Sequence, residues 1–404
     1  MRILHVVPTY VPAWRHGGTI KAVHGLTKAL AARGHEVSVF TTDVHADGTL
    51  GVPLGEPVNR DSVEVLYFPV RPPRRLYRSP AMAEALARAV PACDLVHLHS
   101  VFLWPTYAAA RAAERAGVPF LLSPRGMLVP DLLRRRGRLR KHLWLRLVER
   151  RTLLAAAGLH ATSDLEAAQA ALLGLYLPPV HVVPNGVEAE PLAEGAQLSP
   201  GVRSALARPP LLLFLGRVSW KKGLDRLIPA LTYVREATLA IAGNDEEGYR
   251  PALERLARLA GVADRVLHLG PVHGADKAAL LHGATALVLP SYSENFGNVV
   301  LEAMAAGCPT VVTPEVGLAE TVRETGAGLV CDGDPLRLGT ALRDLVADPE
   351  GRREMGRRGV EAAERRFGWP AVAERMEEVY AGVLHARRHG RAETRAASAG
   401  VATP

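Results

Sequence analysis

The stretch Pro290-Ser-Tyr-Ser-Glu294-Asn-Phe-Gly297-Asn-Val-Val-Leu-Glu302-Ala-Met-Ala-Ala-Gly-Cys308 sets two glutamates on either side of a strand-to-helix turn, with seven residues between them. The apolar run Ala284 to Leu289 before it reads as a buried strand, and Val299 to Ala306 reads as a helix. Asn295, Phe296 and Gly297 in the turn then offer backbone N–H groups that have no partner within the helix. Such an N-terminus attracts anions. Glu294 in the loop and Glu302 on the helix would repel a bare phosphate, yet they accept hydrogen bonds from hydroxyls. The combination suits a ligand that carries both phosphate and sugar, as a nucleotide sugar does. Either glutamate alone reads as a solvated surface group. The Gly-Asn turn and the small residues around it favour a ligand site.

Outward from this turn, the chain twice begins a strand-helix alternation with a short apolar strand, at Ile3 to Val7 and at Leu211 to Leu215. In the first half, strands are expected at Val37 to Thr41, Val63 to Phe68, Leu95 to Leu98, Pro119 to Leu122, Leu159 to Thr162 and His181 to Val183. Helices such as Thr19 to Arg33 and Phe102 to Ala116 lie between them. In the second half, strands are expected at Thr238 to Ala242, Val266 to Leu269, Ala284 to Leu289, Thr310 to Thr313 and Gly328 to Cys331. Alternation of this kind implies parallel sheets with helices on both faces. The fold class expected is α/β, with two Rossmann-like, doubly wound domains facing a cleft. The first domain spans 1–187, a Pro- and Gly-rich linker 188–210, and the second domain 211–368. Residues 387–404 lack apolar period and read as a disordered tail.

A length of 404 residues exceeds one ordinary core, and an apolar fraction of 48% suffices for two. Cys93, Cys308 and Cys331 have neither metal-type nor disulfide-type spacing. With no leader at Met1-Arg-Ile-Leu, a reducing cytoplasm is the compartment expected. No apolar run reaches membrane-spanning length. The formal charge of +8 and pI near 9.6 admit nucleic acid, an anionic membrane or phosphorylated substrates as partners. No recognised nucleic-acid module is present.

Four further motifs accompany the glutamate pair: Gly17-Gly18, Asp94-Leu-Val-His97-Leu-His99, Pro184-Asn185-Gly186 and Gly216-Arg217-Val-Ser-Trp-Lys221-Lys222-Gly223. Each is weak by itself, but the ordered set is specific. It resembles the signature of the retaining, two-domain glycosyltransferases of the GT-B fold, in the family usually numbered four. The resemblance spans almost the whole chain. It implies a metal-independent transfer from a nucleoside diphosphate sugar, as co-substrate rather than cofactor, with retention of anomeric configuration. The acceptor attacks on the leaving-group face, and the donor phosphate takes its proton. It also implies that the last helix, Trp369 to His385, returns to the first domain; Val372, Met376, Val379 and Val383 are spaced for that. The expectation is that 369–386 packs on the first domain.

By this resemblance Arg217 and Lys222 clamp the diphosphate, with Lys221 a bystander, and Gly17 and Gly18 bring backbone amides to it. Glu294 takes the sugar hydroxyls, helped by the amides of Asn295, Phe296 and Gly297. Glu302 takes the ribose hydroxyls, and Val272 lies near the base. His97 and His99 alternate along one strand and share a face. They read as metal ligands without a third partner or as core histidines, and the resemblance selects His99 as the group beside the donor sugar. Arg125, in Ser123-Pro-Arg-Gly-Met, reads as a contact to an anionic acceptor or as a turn residue. Asn185-Gly186 reads as a hinge turn. Asp332-Gly-Asp334 resembles a metal-binding acidic pair, but a polar turn capping the next helix is favoured, so no metal is required.

Between Leu132 and Arg151, Leu139, Leu143, Trp144, Leu147 and Val148 form one helical stripe, and Arg140, Lys141, Arg146, Arg150 and Arg151 lie largely elsewhere. Together with Arg134, Arg135, Arg136 and Arg138, they make a basic amphipathic segment that suits either an anionic leaflet or the protein core. The partners expected are a nucleotide sugar and a glycan or lipid-linked acceptor, with an anionic membrane surface beside them, on the inner face of the plasma membrane. The alternatives are a sugar phosphorylase of the same fold and a basic membrane- or polyanion-binding protein without catalysis.

Overall fold

The structure, a computed structural model, describes residues 1–13, 17–45, 48–130, 143–192, 195–245 and 247–399, without the side chains of 146 and 390–399. The chain divides into two compact units, Met1–Gly186 with Trp369–Pro404, and Val187–Gly368.

In the first unit eight strands form one sheet. From edge to edge they are Val180–Val182, Gly158–Ala161, Phe120–Ser123, Leu95–His99, Arg2–Val6, Glu36–Thr42, Val63–Phe68 and Pro57–Arg60. All neighbours are parallel except Pro57–Arg60, which runs antiparallel to Val63–Phe68. Apolar clusters cover both faces, one including Leu86, Leu98 and Leu159, the other Ile20, Val23 and Tyr67. The closing helix, Trp369–Ala399, belongs to this unit, and its buried residues Val372, Met376, Tyr380 and Val383 lie in the second cluster.

The second unit holds six parallel strands in the order Val266–Gly270, Thr238–Ala242, Leu211–Leu215, Ala286–Leu289, Thr310–Val312 and Gly328–Val330. Leu211–Leu215, Thr238–Ala242 and Ala286–Leu289 are buried along their whole length, which is why they read as continuous apolar runs. In each sheet the first strand sits in the middle and the chain winds outward to both sides. The winding reverses between Arg2–Val6 and Leu95–His99 in one unit and between Leu211–Leu215 and Ala286–Leu289 in the other. Ligands of open α/β sheets bind beyond the strand carboxyl ends at such reversals.

Three stretches differ from the sequence expectation. The span 188–210 contains the helix Pro200–Leu206, whose Val202 and Ala205 are buried in the core of the second unit, so it is part of that unit as well as a connection. The closing helix continues to Ala399 instead of giving way to a structureless tail at Arg387. Alanine, arginine and glutamate sustain a helix once earlier turns have nucleated it. The basic segment is described only from residue 143; Leu139, Arg140, Lys141 and Arg134, Arg135, Arg136 and Arg138 lie outside the described residues. In its described part, Leu145, Glu149, Thr152 and Leu153 face inward, while Leu143 and Leu147 are 60% and 68% exposed. A wide π-type turn at Leu145–Glu149 shifts the helical phase, so the stripe drawn at 3.6 residues per turn is not the buried one.

Candidate functional site

In the second unit the loops that follow Leu215 and Leu289 meet. Gly223 has φ 68°, and a Cβ placed on it would lie 1.9 Å from the Pro290 carbonyl oxygen, an approach that only glycine permits. The Tyr292 amide donates to the Lys221 carbonyl at 2.7 Å, fastening one loop to the other. The Lys222 ammonium donates to the Glu294 carboxylate, with both side chains largely buried. Arg217 is exposed on the same loop. Lys221 is held below the usual lysine range by burial and by Arg217.

The segment Glu294 to Phe296 is held as an extended strip against residues 315–318: the Glu294 amide donates to Glu315 at 3.0 Å, and Gly317 and Leu318 donate to the carbonyls of Glu294 and Phe296 at 2.9 and 3.1 Å. Gly297, at φ 95° and ψ 56°, turns the chain into the helix Asn298–Ala305. No side chain caps that N-terminus, so its leading amides point into the loop region with the polarity that suits an anion. Glu302, further along the helix, is 2.8 Å from the Lys277 ammonium. Val272 is buried just beyond the end of Val266–Gly270. Lys222, Glu294, Asn295, Phe296 and Gly297 thus gather beyond the two strands between which the order reverses, with Glu302 further along the following helix and Val272 beyond the edge strand of the same sheet.

Asp334 accepts from the amides of Leu336 and Arg337, each at 3.1 Å, and caps the helix Pro335–Ala347, while Asp332 accepts from the Asp334 amide at 2.9 Å. This is the polar capping turn that the sequence favours at Asp332-Gly-Asp334.

In the first unit Gly17 and Gly18 stand exposed at the N-terminus of the helix Gly18–Ala32, with Gly17 at φ 93°. His99 and Arg125 are placed otherwise than the sequence suggests. His99 is fully buried, with Nε2 3.0 Å from His5 Nδ1 and Nδ1 3.3 Å from an Arg125 nitrogen. Arg125, at φ 54°, also donates to Asn185 at 2.7 Å, and burial pushes its guanidinium down to about 10. A half-buried guanidinium needs such partners, so Arg125 is engaged with Asn185 and His99, and both His99 ring nitrogens have protein partners in this structure. Asn185 is accordingly a fixed partner as well as a turn residue.

Two chains of hydrogen bonds run through this interior, and their ends fix every tautomer. Arg125 can only donate, so His99 accepts at Nδ1 and donates from Nε2 to His5 Nδ1. The Val183 carbonyl can only accept, so His160 donates to it from Nε2 at 2.8 Å and accepts from His97 Nε2 at 3.2 Å; Tyr380 then donates to His97 Nδ1 at 2.8 Å. The first chain ends in the His5 Nε2–H, buried and without a partner among the described residues. Burial, reinforced by Arg125, pushes both His5 and His160 down to about 3. His97 and His99 are driven well below the usual histidine range, again by burial first and then by neighbouring His99 and Arg125 respectively. His5, His97 and His99 bring ring nitrogens within 4.8 Å of one another, the one set of metal-type spacing among the described residues. A metal ion there would have to displace these hydrogen bonds beside the Arg125 cation, an unfavourable exchange. Sequence spacing signals the His97–His99 pair; His5, His160 and Tyr380 come from distant segments that only the sheet order and the closing helix bring together.

The family described as glycosyl transferases group 1 matches residues 202–362, and a glycosyl transferase 4-like domain matches residues 17–186. A D-inositol 3-phosphate glycosyltransferase of Xylanimonas cellulosilytica is 32% identical over 413 aligned residues, covering 94% of this chain and 95% of that protein. Among solved structures, a sucrose-phosphate synthase from Thermosynechococcus elongatus superposes with a TM-score of 0.74 at 23% identity, over 96% of this chain and 100% of that one. HepE of Anabaena, in complex with UDP and glucose, superposes with a TM-score of 0.72 at 20% identity, over 94% and 99% of the two chains. These superpositions show the GT-B architecture.

Proposed function

Because the chain belongs to the glycosyl transferases group 1 family, we propose that it moves a sugar from a nucleoside diphosphate sugar to an acceptor with retention of anomeric configuration. The observation that carries this reading is the Lys222–Glu294 pair beside an uncapped helix N-terminus, at the point where the second unit's strand order reverses. Lys222 and Arg217 supply positive charge for the diphosphate as it departs. Glu294 and the amides of Asn295, Phe296 and Gly297 hold the sugar, Glu302 the ribose, and backbone near Val272 the base. The acceptor oxygen forms its bond to the anomeric carbon on the face the diphosphate leaves, and the departing phosphate takes the acceptor proton. The protein contributes position and charge. His99 is assigned to the interior network, as a positioning residue at the root of the loop that follows it.

Incubation with UDP-, GDP- and ADP-sugars, with melting temperature and release of nucleoside diphosphate recorded, tests the reading. One donor is expected to raise the melting temperature and release its diphosphate when an acceptor is supplied. Sugar phosphate released from a glycan and inorganic phosphate, with no response to any nucleotide, would establish the phosphorylase instead.

We further propose work in cell-surface polysaccharide or glycolipid synthesis, at the inner face of the plasma membrane. Leu143, Leu147 and Leu154 stand outward at 60%, 68% and 52% exposure on one short helical stretch, with Arg150 and Arg151 exposed beside them. Apolar and basic groups presented together suit an anionic leaflet. A soluble phosphorylated polyol is the second reading of the acceptor, favoured by the name of the Xylanimonas relative.

A further inference from the structure

Lys277 lies on the helix Gly274–Gly283, away from the loops that carry Arg217 and Lys222, and its side chain is 8% exposed. A buried ammonium is costly unless it is paired. This one is paired twice, 2.8 Å from Glu302 Oε1 and 3.2 Å from Glu190 Oε1. Burial opposes its charge, but the two carboxylates, Glu302 foremost, hold it above the usual lysine range. Glu190 is anchored separately, since its carbonyl accepts from His282 Nε2 at 3.3 Å. Glu188, Glu190, Lys277, His282 and Glu302 line one small pocket in the second unit.

Two carboxylates and one ammonium leave a net charge of −1, so the triad retains the capacity to accept hydrogen bonds from neutral hydroxyls. The ammonium also constrains direction: with Oε1 of Glu302 bound, the rotation of that carboxylate is restricted. Removing the ammonium takes a positive charge from between Glu190 and Glu302, which favours protonation or displacement of a carboxylate there. We propose that Lys277 is a positioning residue for donor binding, which aims the Glu302 carboxylate at the ribose hydroxyls and thereby makes the site selective for ribonucleotides over deoxyribonucleotides. This rests on the assignment of Glu302 to the ribose.

The test is calorimetric titration of the full chain with UDP and GDP and with their 2′-deoxy counterparts. Wild-type protein is expected to prefer one ribonucleotide over its deoxy form by about ten-fold, the scale of a hydrogen bond to a charged group. Lys277→Met is expected to bind the ribonucleotide about ten-fold more weakly and the deoxynucleotide almost unchanged, so that the preference vanishes. Lys277→Arg, which keeps the charge, is expected to retain it, and Lys277→Gln carries the same readout as Lys277→Met should that variant not fold. A Lys277→Met protein that keeps the full preference, or loses affinity equally for both nucleotides, overturns the inference. Glu302→Ala separates the two levels: loss of preference there with retention in Lys277→Met leaves the ribose assignment standing and removes Lys277. Unchanged preference in Glu302→Ala, or none in the wild type, removes the ribose assignment and the inference with it.

Discussion

The Lys222 ammonium is bound to the Glu294 carboxylate, joining the loop after Leu211–Leu215 to the loop after Ala286–Leu289. These are the adjacent strands at which the sheet order reverses, so the pair sits where an open α/β sheet takes its ligand. On the proposed roles, phosphate oxygens take over the ammonium and sugar hydroxyls the carboxylate when the donor binds. Lys222→Ala is therefore expected to lower turnover by on the order of 10²-fold, as for other preorganised charges aimed at a leaving group. Because the two residues are in contact, the Lys222→Ala, Glu294→Ala double variant should fall well short of the product of the single effects. Steady-state kinetics of the four proteins measure this. Normal turnover in Lys222→Ala, or strict multiplicativity, would contradict the shared site.

Gly223→Ala is expected to destabilise the second unit and to abolish donor binding together. The residue has φ 68°, and a Cβ would lie 1.9 Å from the backbone oxygen of Pro290, which cannot rotate away as a side-chain end could. Backbone strain of this kind costs on the order of 1–3 kcal/mol before the clash is relieved. Relief requires the Lys222 loop to part from the Glu294 loop. Urea denaturation and a nucleotide titration on the same preparation check both effects, and a stable variant with normal affinity would show that the loops need not touch.

The strand starts and the strand-helix alternation of both units were legible in the sequence because fully buried parallel strands leave uninterrupted apolar runs, as at Leu211 to Leu215. The edge strand Pro57–Arg60 was not, since its pairing with Val63–Phe68 is antiparallel and Val58 stands there between a proline and two polar residues, too short a pattern to read. The places of Lys222 and Glu294 were legible because they lie beside a glycine turn, and that of Glu302 because the small and apolar residues after Gly297 mark a helix. Lys277 was not, being a lone lysine on an ordinary helix whose partner is brought to it by packing. The same limit applies to Arg125: its loop is where the motif suggests, but its bonds to Asn185 and His99 join segments that are distant in sequence.

Activity is expected to persist in excess EDTA. On the proposed roles, Lys222 and Arg217 supply the charge that a departing diphosphate needs, while Asp332 and Asp334 are engaged in capping the helix Pro335–Ala347. A turnover assay with and without chelator decides this, and loss of activity with rescue by Mg²⁺ or Mn²⁺ would refute it.

The histidine network predicts a pH dependence of stability. His5 and His160 fall from the ordinary value near 6.5 to about 3 on folding, so between those limits the unfolded chain binds more protons than the folded one. Their contribution is fully present above pH 6.5 and is lost progressively as pH falls towards 3. Each imidazole kept neutral adds a slope of up to about 1.4 kcal/mol per pH unit in that window. Urea midpoints at pH 7.5, 6.5, 5.5 and 4.5 should therefore decline below pH 6.5. His5→Asn should be less stable at pH 7.5 but decline less steeply. A variant slope equal to that of the wild type would mean that His5 is not held neutral.

The outward leucines predict where the enzyme works. Leu143, Leu147 and Leu154 are all more than half exposed, although Leu145 and Leu153 on the same stretch satisfy the core, so the outward set is not required for folding. Each leucine fully withdrawn from water contributes about 1.5–3 kcal/mol, and each arginine near an anionic surface roughly 1 kcal/mol. Together they suffice for reversible attachment that weakens with salt. Flotation with vesicles of phosphatidylcholine, with and without phosphatidylglycerol, measures it. The anionic vesicles should carry the protein at low salt and the neutral ones should not, and Leu143→Ser, Leu147→Ser, Leu154→Ser combined should release it without lowering the melting temperature. Equal flotation of the triple variant, or none of the wild type, would leave these leucines as an ordinary exposed helix face and make a soluble acceptor the better reading.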